Sequence, residues 1–403
     1  MDLKSGYPFW AVKNGLMHEY PPLEADRRCD VAIIGGGITG ALMATELVAH
    51  GFDVAVVEQR DIAWGSTAAS TALLQYEIDT HLVDLARRHG QVGALLAYRA
   101  CLEAIDSLRE LATLVKDVDF RMQESLYCAS RARDAKPLRE EFEMRQRHGF
   151  PVSWMDVSQM GARFGLQSPA GILSHVAARV DPYRLTYRLL ARASKAGAGV
   201  FDRTTVTDIL PGSRGVELRT ARGVALRCQH VVLAAGYANQ QWLDRKVASN
   251  RSSYAFISDP MPAADLGFLA DTLLWETARP YLYLRSTGDA RLLVGGEDDA
   301  IDLPALRDAR VEKKARKLCA RVQEMYPGMD LKPAYSWAGT FAETSDGLPF
   351  FGPTPQRGPR VHFAMAYGGN GITYSAIGAG LIRAGIQRRK HPLAGLFGFD
   401  RLG

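Results

Sequence analysis

The sequence predicts an α/β fold with two domains, one assembled from separated stretches of chain and the other inserted between them. A short apolar run, a glycine turn, a helical pattern and a second apolar run follow one another over 30–59, which is the pattern of a βαβ unit. A strand, a glycine turn and a helix recur over 360–386. Between these ends, alternating β-rich runs over about 251–296 predict an antiparallel sheet.

Composition and charge predict a globular protein and argue against nucleic-acid binding, metal binding and membrane insertion. The chain has 403 residues, 47% of them hydrophobic and 23% charged, as in ordinary globular proteins. The net charge is +5, without a basic stripe, so we expect no nucleic-acid partner. The five cysteines are far apart and form no CxxC pair, which predicts no zinc or other metal site and a reducing, cytoplasmic location. No apolar run is long enough to predict a transmembrane segment.

The remaining elements can be placed in order along the chain. Residues 1–28 predict a surface arm, and the small residues of 61–80 predict a loop. The helical patterns and apolar runs predict helices at about 82–116, 181–199 and 303–325 and strands at 200–210, 215–220 and 230–236.

The strand, glycine and helix patterns at both ends of the chain predict the domain ranges. The first domain is expected to comprise 1–90, 150–235 and 335–403. The second is expected to comprise 91–149 and 236–334.

A glycine motif in the first domain predicts a dinucleotide site. Gly35, Gly37 and Gly40 fit GxGxxG directly after the apolar run VAII. The first glycine allows the tight turn, the second lets the backbone approach a pyrophosphate, and the third lets the helix pack on the strand. Glu58, at the end of VAVVE, can accept hydrogen bonds from both ribose hydroxyls, which favours FAD or NAD over NADP.

Two further glycine elements favour a flavin. VVLAAG at 231–236 ends a strand as if it passed beneath a cofactor, and GGNGIT at 368–373 begins the last helix. Amides at a helix N-terminus can stabilise negative charge on a reduced isoalloxazine ring. NAD needs no such second helix end, so we expect FAD.

The order and spacing of these motifs resemble FAD-dependent oxidoreductases of the D-amino-acid oxidase type. This family includes glycine, sarcosine and γ-glutamylputrescine oxidases and, more distantly, glycerol-3-phosphate dehydrogenase. The resemblance rests on DVAIIGGGITG, WGSTAAST, VVLAAG, LLVGG and GGNGIT and covers nearly the whole chain. The N-terminal arm is most similar to that of γ-glutamylputrescine oxidase, and the WGSTAAST loop to that of glycerol-3-phosphate dehydrogenases. The family implies a glutathione-reductase-like, Rossmann-type FAD domain with an inserted antiparallel-sheet substrate domain.

The resemblance also implies which residues hold FAD. FAD should be bound non-covalently, because the WAGTFAET segment has no cysteine that could link to it. The adenosine diphosphate half is assigned to Gly35, Gly37, Ile38, Thr39, Gly40, Glu58, Gln59 and Arg60, with Val206 at the adenine. The pyrophosphate, ribityl chain and flavin are assigned to Ser66, Thr67, Ser70, Thr71, Ala72, Leu73, Ala235, Gly236, Gly369, Asn370, Gly371, Ile372 and Thr373.

The chain departs from the family's pattern where a substrate carboxylate would bind. Phe341 matches the Arg that grips the carboxylate in the amino-acid oxidases, and Gln75 matches an Arg of sarcosine oxidases. Without either bidentate clamp, an amine lacking that carboxylate is favoured over a simple α-amino acid. Leu293 matches the oxygen-activating Lys of sarcosine oxidases, so O2 and another electron acceptor both stay open.

Several side chains are candidates for binding the substrate. Arg285 could supply another carboxylate clamp or be an exposed residue at a strand end. Glu77 and Asp79 could attract a cationic substrate or be solvated loop residues. Four tyrosines could form an aromatic box around an ammonium group, or could instead pack in the core: Tyr76, Tyr254, Tyr281 and Tyr283. No catalytic side chain is assigned, because the flavin carries the chemistry.

We therefore predict an enzyme that oxidises a C–N bond of an amine or amino-acid-like small molecule. Hydride transfer to flavin N5 would be followed by hydrolysis of the imine. Two alternatives stay open. One is an FAD-dependent hydroxy-acid or glycerol-3-phosphate-type dehydrogenase, and the other is a non-catalytic flavin-binding subunit.

Overall fold

Two β-sheets covered by helices make up the computed structural model, which describes residues 2–300 and 302–402. The strands are β1 (Arg27–Ile34), β2 (Val54–Val57), β3 (Leu73–Gln75), β4 (Arg121–Cys128), β5 (Val152–Asp156), β6 (Ala170–Arg179), β7 (Gly199–Phe201), β8 (Val206–Pro211), β9 (Val216–Thr220), β10 (Ala225–Leu233), β11 (Ala248–Ile257), β12 (Thr272–Glu276), β13 (Leu282–Ser286), β14 (Leu292–Asp299), β15 (Tyr335–Thr344), β16 (Phe350–Pro353) and β17 (Val361–Met365).

The α-helices are distributed among the strands along the chain. They are α1 (Phe9–Asn14), α2 (Ile38–Ala49), α3 (Ser66–Ala69), α4 (Leu82–Val115), α5 (Ala135–Arg147), α6 (Val157–Phe164), α7 (Pro182–Lys195), α8 (Ala263–Leu266), α9 (Pro304–Ala309), α10 (Val311–Met325), α11 (Gly371–Ile386) and α12 (Ala394–Phe397). Across residues 2–300 and 302–402, no helix is long and apolar enough to cross a membrane.

The first sheet is largely parallel. Its strands follow the order β16-β17-β10-β1-β2-β7, and the hairpin β8–β9 extends it from β10. All neighbours from β17 to β7 run parallel. Val54–Val57 is buried along its whole length, as expected for a strand covered on both faces. α2 packs against both α7 and α11.

The second sheet is mostly antiparallel and follows the order β15-β11-β14-β13-β12-β4-β6-β3, with β5 paired to β6. One neighbouring pair, β12 and β4, is parallel. A parallel sheet joined to an antiparallel one confirms the predicted α/β fold class.

The sheets do not follow the predicted domain ranges everywhere. β3, β5, β6 and β15 fall within ranges assigned to the first domain, yet they hydrogen-bond in the second sheet. Short or alternating sequences of this kind suit either sheet, so periodicity alone does not assign them. The stretch predicted as one strand over 200–210 is divided into β7, which pairs with β2, and β8, which pairs with β9.

Two segments predicted to be irregular carry structure. The N-terminal arm contains α1, whose Trp10 is fully buried, so the arm packs into the core and does not simply lie on the surface. The loop 61–80 contains α3 and β3. Both elements are too short to produce a recognisable period in the sequence.

A buried ion network fixes the start of α4. The Glu141 carboxylate accepts hydrogen bonds from the amides of Leu82 and Val83 at 2.9 and 3.0 Å. Arg145 Nε donates to Glu141 Oε1 at 2.7 Å, and Arg145 Nη1 lies 3.7 Å from Glu77 Oε1. Burial alone would raise the pKa of Glu141, but Arg145 holds it below its usual value. The arginine therefore keeps a buried carboxylate ionised.

We expect Arg145→Leu to lower the free energy of unfolding by about 3–5 kcal/mol, because it leaves two carboxylates buried without their cation. Urea denaturation measures this loss. The matched control, Arg139→Leu, removes the exposed partner of Glu143 and should cost at most about 1 kcal/mol. Equal losses in the two variants would contradict a stabilising role for the buried network.

Candidate active site

A cavity of about 320 Å³ lies where the first sheet meets the second. Ile34, Val57 and Ala234 reach it from the carboxyl ends of β1, β2 and β10. Ligands of open parallel sheets bind at this edge. The opposite wall comes from the second sheet, through β11, β12, β13, β14 and β15 and their loops.

The glycine turn between β1 and α2 forms one end of the cavity. Gly35 has φ +117°, and a Cβ there would lie 2.4 Å from the Ala234 carbonyl oxygen. A Cβ on Gly40 would lie 1.9 Å from the Gly35 carbonyl oxygen. Gly40 thus packs beneath the turn and is not part of the cavity wall, whereas Gly35 and Gly37 line it. This is the arrangement that brings a pyrophosphate close to a helix N-terminus.

Glu58 lies at the end of β2 and is held by the backbone. Its carboxylate accepts hydrogen bonds from the amides of Gly36 at 2.8 Å and Arg60 at 3.0 Å. Burial raises the pKa of Glu58, and these amides counteract that effect. Both Glu58 and Arg60 line the cavity, and the ribose-binding role of Glu58 stays a prediction.

Three consecutive carbonyl groups, at the last residue of α3 and in the loop that follows, are tethered by buried side chains. Trp337 Nε1 donates to the Ala69 carbonyl at 2.9 Å, and Trp10 Nε1 donates to the Ser70 carbonyl at 2.7 Å. Arg285 Nε donates to the Thr71 carbonyl at 2.6 Å. All three donor side chains are almost completely buried, so the loop has little freedom to move.

The N-terminus of α11 closes the opposite end. Asn370 Nδ2 donates to the carbonyls of Gln75 and Glu77 at 3.0 and 2.8 Å. The Gly369 amide donates to Asp79 Oδ2 at 3.0 Å. Because the Asn370 side chain hydrogen-bonds to the carbonyls of Gln75 and Glu77, it does not cap α11. The first turn of α11 can therefore offer its amides to a ligand.

The wall from the second sheet is aromatic. Trp275, Tyr281, Tyr283 and Phe341 line it, and the rings of Tyr281 and Tyr283 lie 5.6 Å apart. A Cβ on Gly295 would lie 2.3 Å from the Tyr283 ring, so the glycine lets this ring lie against β14.

A serine fixes two side chains of the same wall. Ser125 Oγ accepts hydrogen bonds from Gln75 Nε2 at 2.9 Å and from Trp275 Nε1 at 3.1 Å. Tyr127 stacks on Trp275 with 3.7 Å between the ring centres. Gln75 and Trp275 are thus held as a rigid pair beside the aromatic surface.

Negative charge predominates along the cavity. Its acidic residues are Glu58, Glu77, Asp79 and Asp298, whereas Arg60 is the one lysine or arginine among its described lining residues. The charge of Glu77 is balanced by Arg145. Burial raises the pKa of Asp79, against the effect of Arg279.

The structure places four of the predicted substrate or cofactor residues differently. Arg285 is fully buried and donates to the carbonyls of Thr71, Ser286 and Val180. It is neither a free carboxylate clamp nor exposed, because its guanidinium is used on the backbone. Tyr76, also outside the cavity lining, stacks on Phe150 in the core.

Tyr254 and Thr373 are the other two residues that the structure places differently from the prediction. Tyr254 borders the cavity, but its hydroxyl donates to Asp299 at 2.9 Å, on the side of α10. The Thr373 hydroxyl hydrogen-bonds the Gln75 carbonyl at 3.4 Å, and Thr373 does not line the cavity. The other predicted cofactor residues, apart from Gly40, line the cavity, as do Gln75, Glu77, Tyr283 and Phe341.

Sequence reasoning missed Trp10, Trp275, Trp337 and Asp298. The tryptophans lie in short or alternating apolar stretches, where a core position is the ordinary interpretation. Asp298 is the second residue after the LLVGG motif, and acidic residues after a glycine pair at a strand end are a signal that could have been weighed.

The fold and cavity define a dinucleotide-binding protein of the doubly wound type with a second, antiparallel sheet over the site. The profile of the DAO family, described as FAD dependent oxidoreductase, matches residues 30–384. The chain therefore belongs to the DAO family of FAD-dependent oxidoreductases, which confirms the predicted family and the prediction of FAD as cofactor.

Known proteins resemble the chain over most of its length. Glycine oxidase of Geobacillus kaustophilus is 28% identical over 93% of this chain and 96% of its own sequence. Gamma-glutamylputrescine oxidoreductase of Escherichia coli is 23% identical over 93% of this chain and 87% of its own. The crystal structure of L-proline dehydrogenase from P. horikoshii superposes with a TM-score of 0.79, at 17% identity, over 93% of this chain and 99% of that chain. This last likeness concerns the fold.

The residues present fit FAD. The Gly35 turn leaves no room for a Cβ, and the Glu58 carboxylate is preorganised by two amides. The N-cap residues of α2 and α11, Gly37 and Asn370, form no side-chain capping hydrogen bond. Amides at such helix N-termini satisfy phosphate and flavin oxygens.

We expect Trp10→Phe to weaken FAD binding about fivefold or more, because it leaves the Ser70 carbonyl without its donor while keeping an aromatic ring. Recovery of flavin fluorescence on dilution measures the dissociation constant. Trp154→Phe, on β5 and away from the loop, should leave it unchanged. Unaltered affinity in Trp10→Phe would show that the tether does not support the cofactor loop.

Proposed function

We propose that this enzyme oxidises the C–N bond of an amine that carries no carboxylate beside the reacting carbon. One observation carries the proposal: the wall from the second sheet offers Trp275, Tyr281, Tyr283, Phe341 and a carboxylate, Asp298, with no basic side chain among its described lining residues. Aromatic faces and carboxylates attract ammonium groups.

The side chains would act by binding, orienting and excluding water. FAD, when bound, supplies the acceptor for the hydride that leaves the substrate carbon. The rigid pair of Gln75 and Trp275 and the ring of Tyr283 would confine the substrate against it. The uncapped first turn of α11 would stabilise negative charge beside the reacting centre. The imine product would be hydrolysed to a carbonyl compound and an amine or ammonia.

The charges disfavour the alternative of a glycerol phosphate. A phosphate dianion is ordinarily held by arginine or lysine, and the one such residue lining the cavity, Arg60, lies beside Glu58 at the end of β2. O2 or another molecule is the proposed electron acceptor.

We expect anaerobic bleaching of the flavin by putrescine and cadaverine to be at least about tenfold faster than by ornithine and lysine, because each pair differs by the α-carboxylate for which no clamp exists. Methylated amines and glycerol 3-phosphate complete the series, and visible absorbance is the measurement. Peroxide formation on readmitting air distinguishes O2 from another acceptor.

The outcomes separate the candidate functions. Faster bleaching by the amino acids, or bleaching by glycerol 3-phosphate alone, would overturn the amine proposal. A yellow protein that no compound bleaches would favour the flavin-binding subunit.

A further inference from the structure

A β-bulge in β14 sets the direction of two neighbouring acidic residues. Tyr254 pairs with Gly296 and Ser252 pairs with Asp299, so the single residue Ser253 faces two residues, Glu297 and Asp298. Gly296 has φ +135° and Glu297 has φ +56°. Bulges of this kind redirect side chains and recur beside active sites.

The bulge sends the two carboxylates to different environments. Glu297 turns to α10, where it lies 2.7 Å from Lys317 Nζ and 2.8 Å from Arg321 Nη1. Asp298 lines the cavity instead. The Ser253 hydroxyl hydrogen-bonds its carboxylate. Asp298 Oδ1 is buried and, within the described residues, has no hydrogen-bond partner. A buried carboxylate oxygen without a donor is costly unless a ligand supplies one.

The surroundings of Asp298 suit an organic cation. Tyr281 and Tyr283 face the same space, and the Tyr283 hydroxyl lies 3.4 Å from Ser253 Oγ. Aromatic rings accommodate an ammonium group and its methylenes, while the carboxylate supplies a charge-assisted hydrogen bond. The free oxygen and the rings therefore form one recognition surface.

We propose that Asp298 binds the ammonium group of the substrate and accepts its proton. The proposal rests on the proposed function and names the residue that selects the substrate class. The N–H bond of the ammonium breaks and an O–H bond forms at Asp298, which leaves a neutral amine. FAD, when bound, would accept the hydride that this amine loses from its carbon, and water would hydrolyse the resulting iminium ion. A low-polarity site favours this transfer, because an ion pair becomes two neutral groups.

The charged and titratable groups around Asp298 come from four elements. Glu343 on β15 and Asp79 after β3 disfavour its charge, and Lys314 on α10 favours it. Tyr281 and Tyr283 face it from β13 and its preceding loop. Burial, foremost, and the two acids raise the pKa of Asp298 to about 6. Because the carboxylate form binds the cation, affinity should be retained above pH 6 and lost as the pH falls through that value.

The test uses the holoenzyme and tert-butylamine, which has no hydrogen on the carbon beside nitrogen and cannot be oxidised. Perturbation of the flavin spectrum gives its dissociation constant at several pH values, with tert-butanol as the neutral counterpart. Asp298→Asn should weaken amine binding about 10- to 100-fold, as loss of a charged hydrogen-bond partner does. It should also abolish the pH dependence near 6 and leave alcohol binding unchanged.

Glu343→Gln is the matched control, because it removes a nearby negative charge that pairs with Arg251 outside the cavity lining. Its amine affinity should stay within about twofold of the wild type. Calorimetry in two buffers of different ionisation enthalpy adds a second readout. Asp298→Asn should abolish the proton release that accompanies binding near pH 6, whereas Glu343→Gln should only move that release to lower pH, because Glu343 raises the pKa of Asp298.

The results distinguish failure of this inference from failure of the proposed function. Equal amine affinity in wild type and Asp298→Asn, or wild-type binding no tighter for tert-butylamine than for tert-butanol, overturns the role of Asp298. If amines still bleach the wild-type flavin in that case, the amine reaction stands without it. Bleaching by glycerol 3-phosphate alone overturns the function itself.

Discussion

The site depends on the hydrogen bonds that hold the carbonyls of Ala69, Ser70 and Thr71. Each of these carbonyls receives a donor from a large buried side chain: Trp337, Trp10 or Arg285. A loop of small residues has little packing of its own, so its shape must come from elsewhere. Here two indoles and a guanidinium impose it. This use of Arg285 also explains why the chain carries a buried arginine beside its cavity without offering it to a substrate.

Two kinds of backbone irregularity complete the cavity. At the first sheet, Gly35 and Gly40 allow a strand, a turn and a helix to approach one another closely. At the second sheet, Gly295 makes room for Tyr283, and the adjacent bulge separates Glu297 from Asp298. The first irregularity serves the cofactor shared by the whole family. The second shapes the wall that faces the substrate, and substrate preference is expected to reside there.

The sequence predicted the features that depend on residues close together in the chain and missed those that depend on contacts between distant residues. The glycine turn and Glu58 belong to one local βαβ unit, so their spacing was sufficient to predict the fold and a dinucleotide. FAD was preferred over NAD only because of the two later glycine elements. Arg285 and Tyr76 were misplaced because strand periodicity does not tell which partner a side chain meets across sheets. The burial of Trp10 was missed for a related reason, since its partner lies 60 residues away. Asp298 was missed because a bulge interrupts strict alternation.

The three donors to the cofactor loop are also far apart in the order of synthesis. Trp10 lies 60 residues before its acceptor, whereas Arg285 and Trp337 follow theirs by 214 and 268 residues. The glycine turn can form early on the ribosome, but the loop beside it acquires its last donor only when most of the chain has emerged. The cofactor loop is therefore fully tethered only after residue 337 has been synthesised and has folded against it.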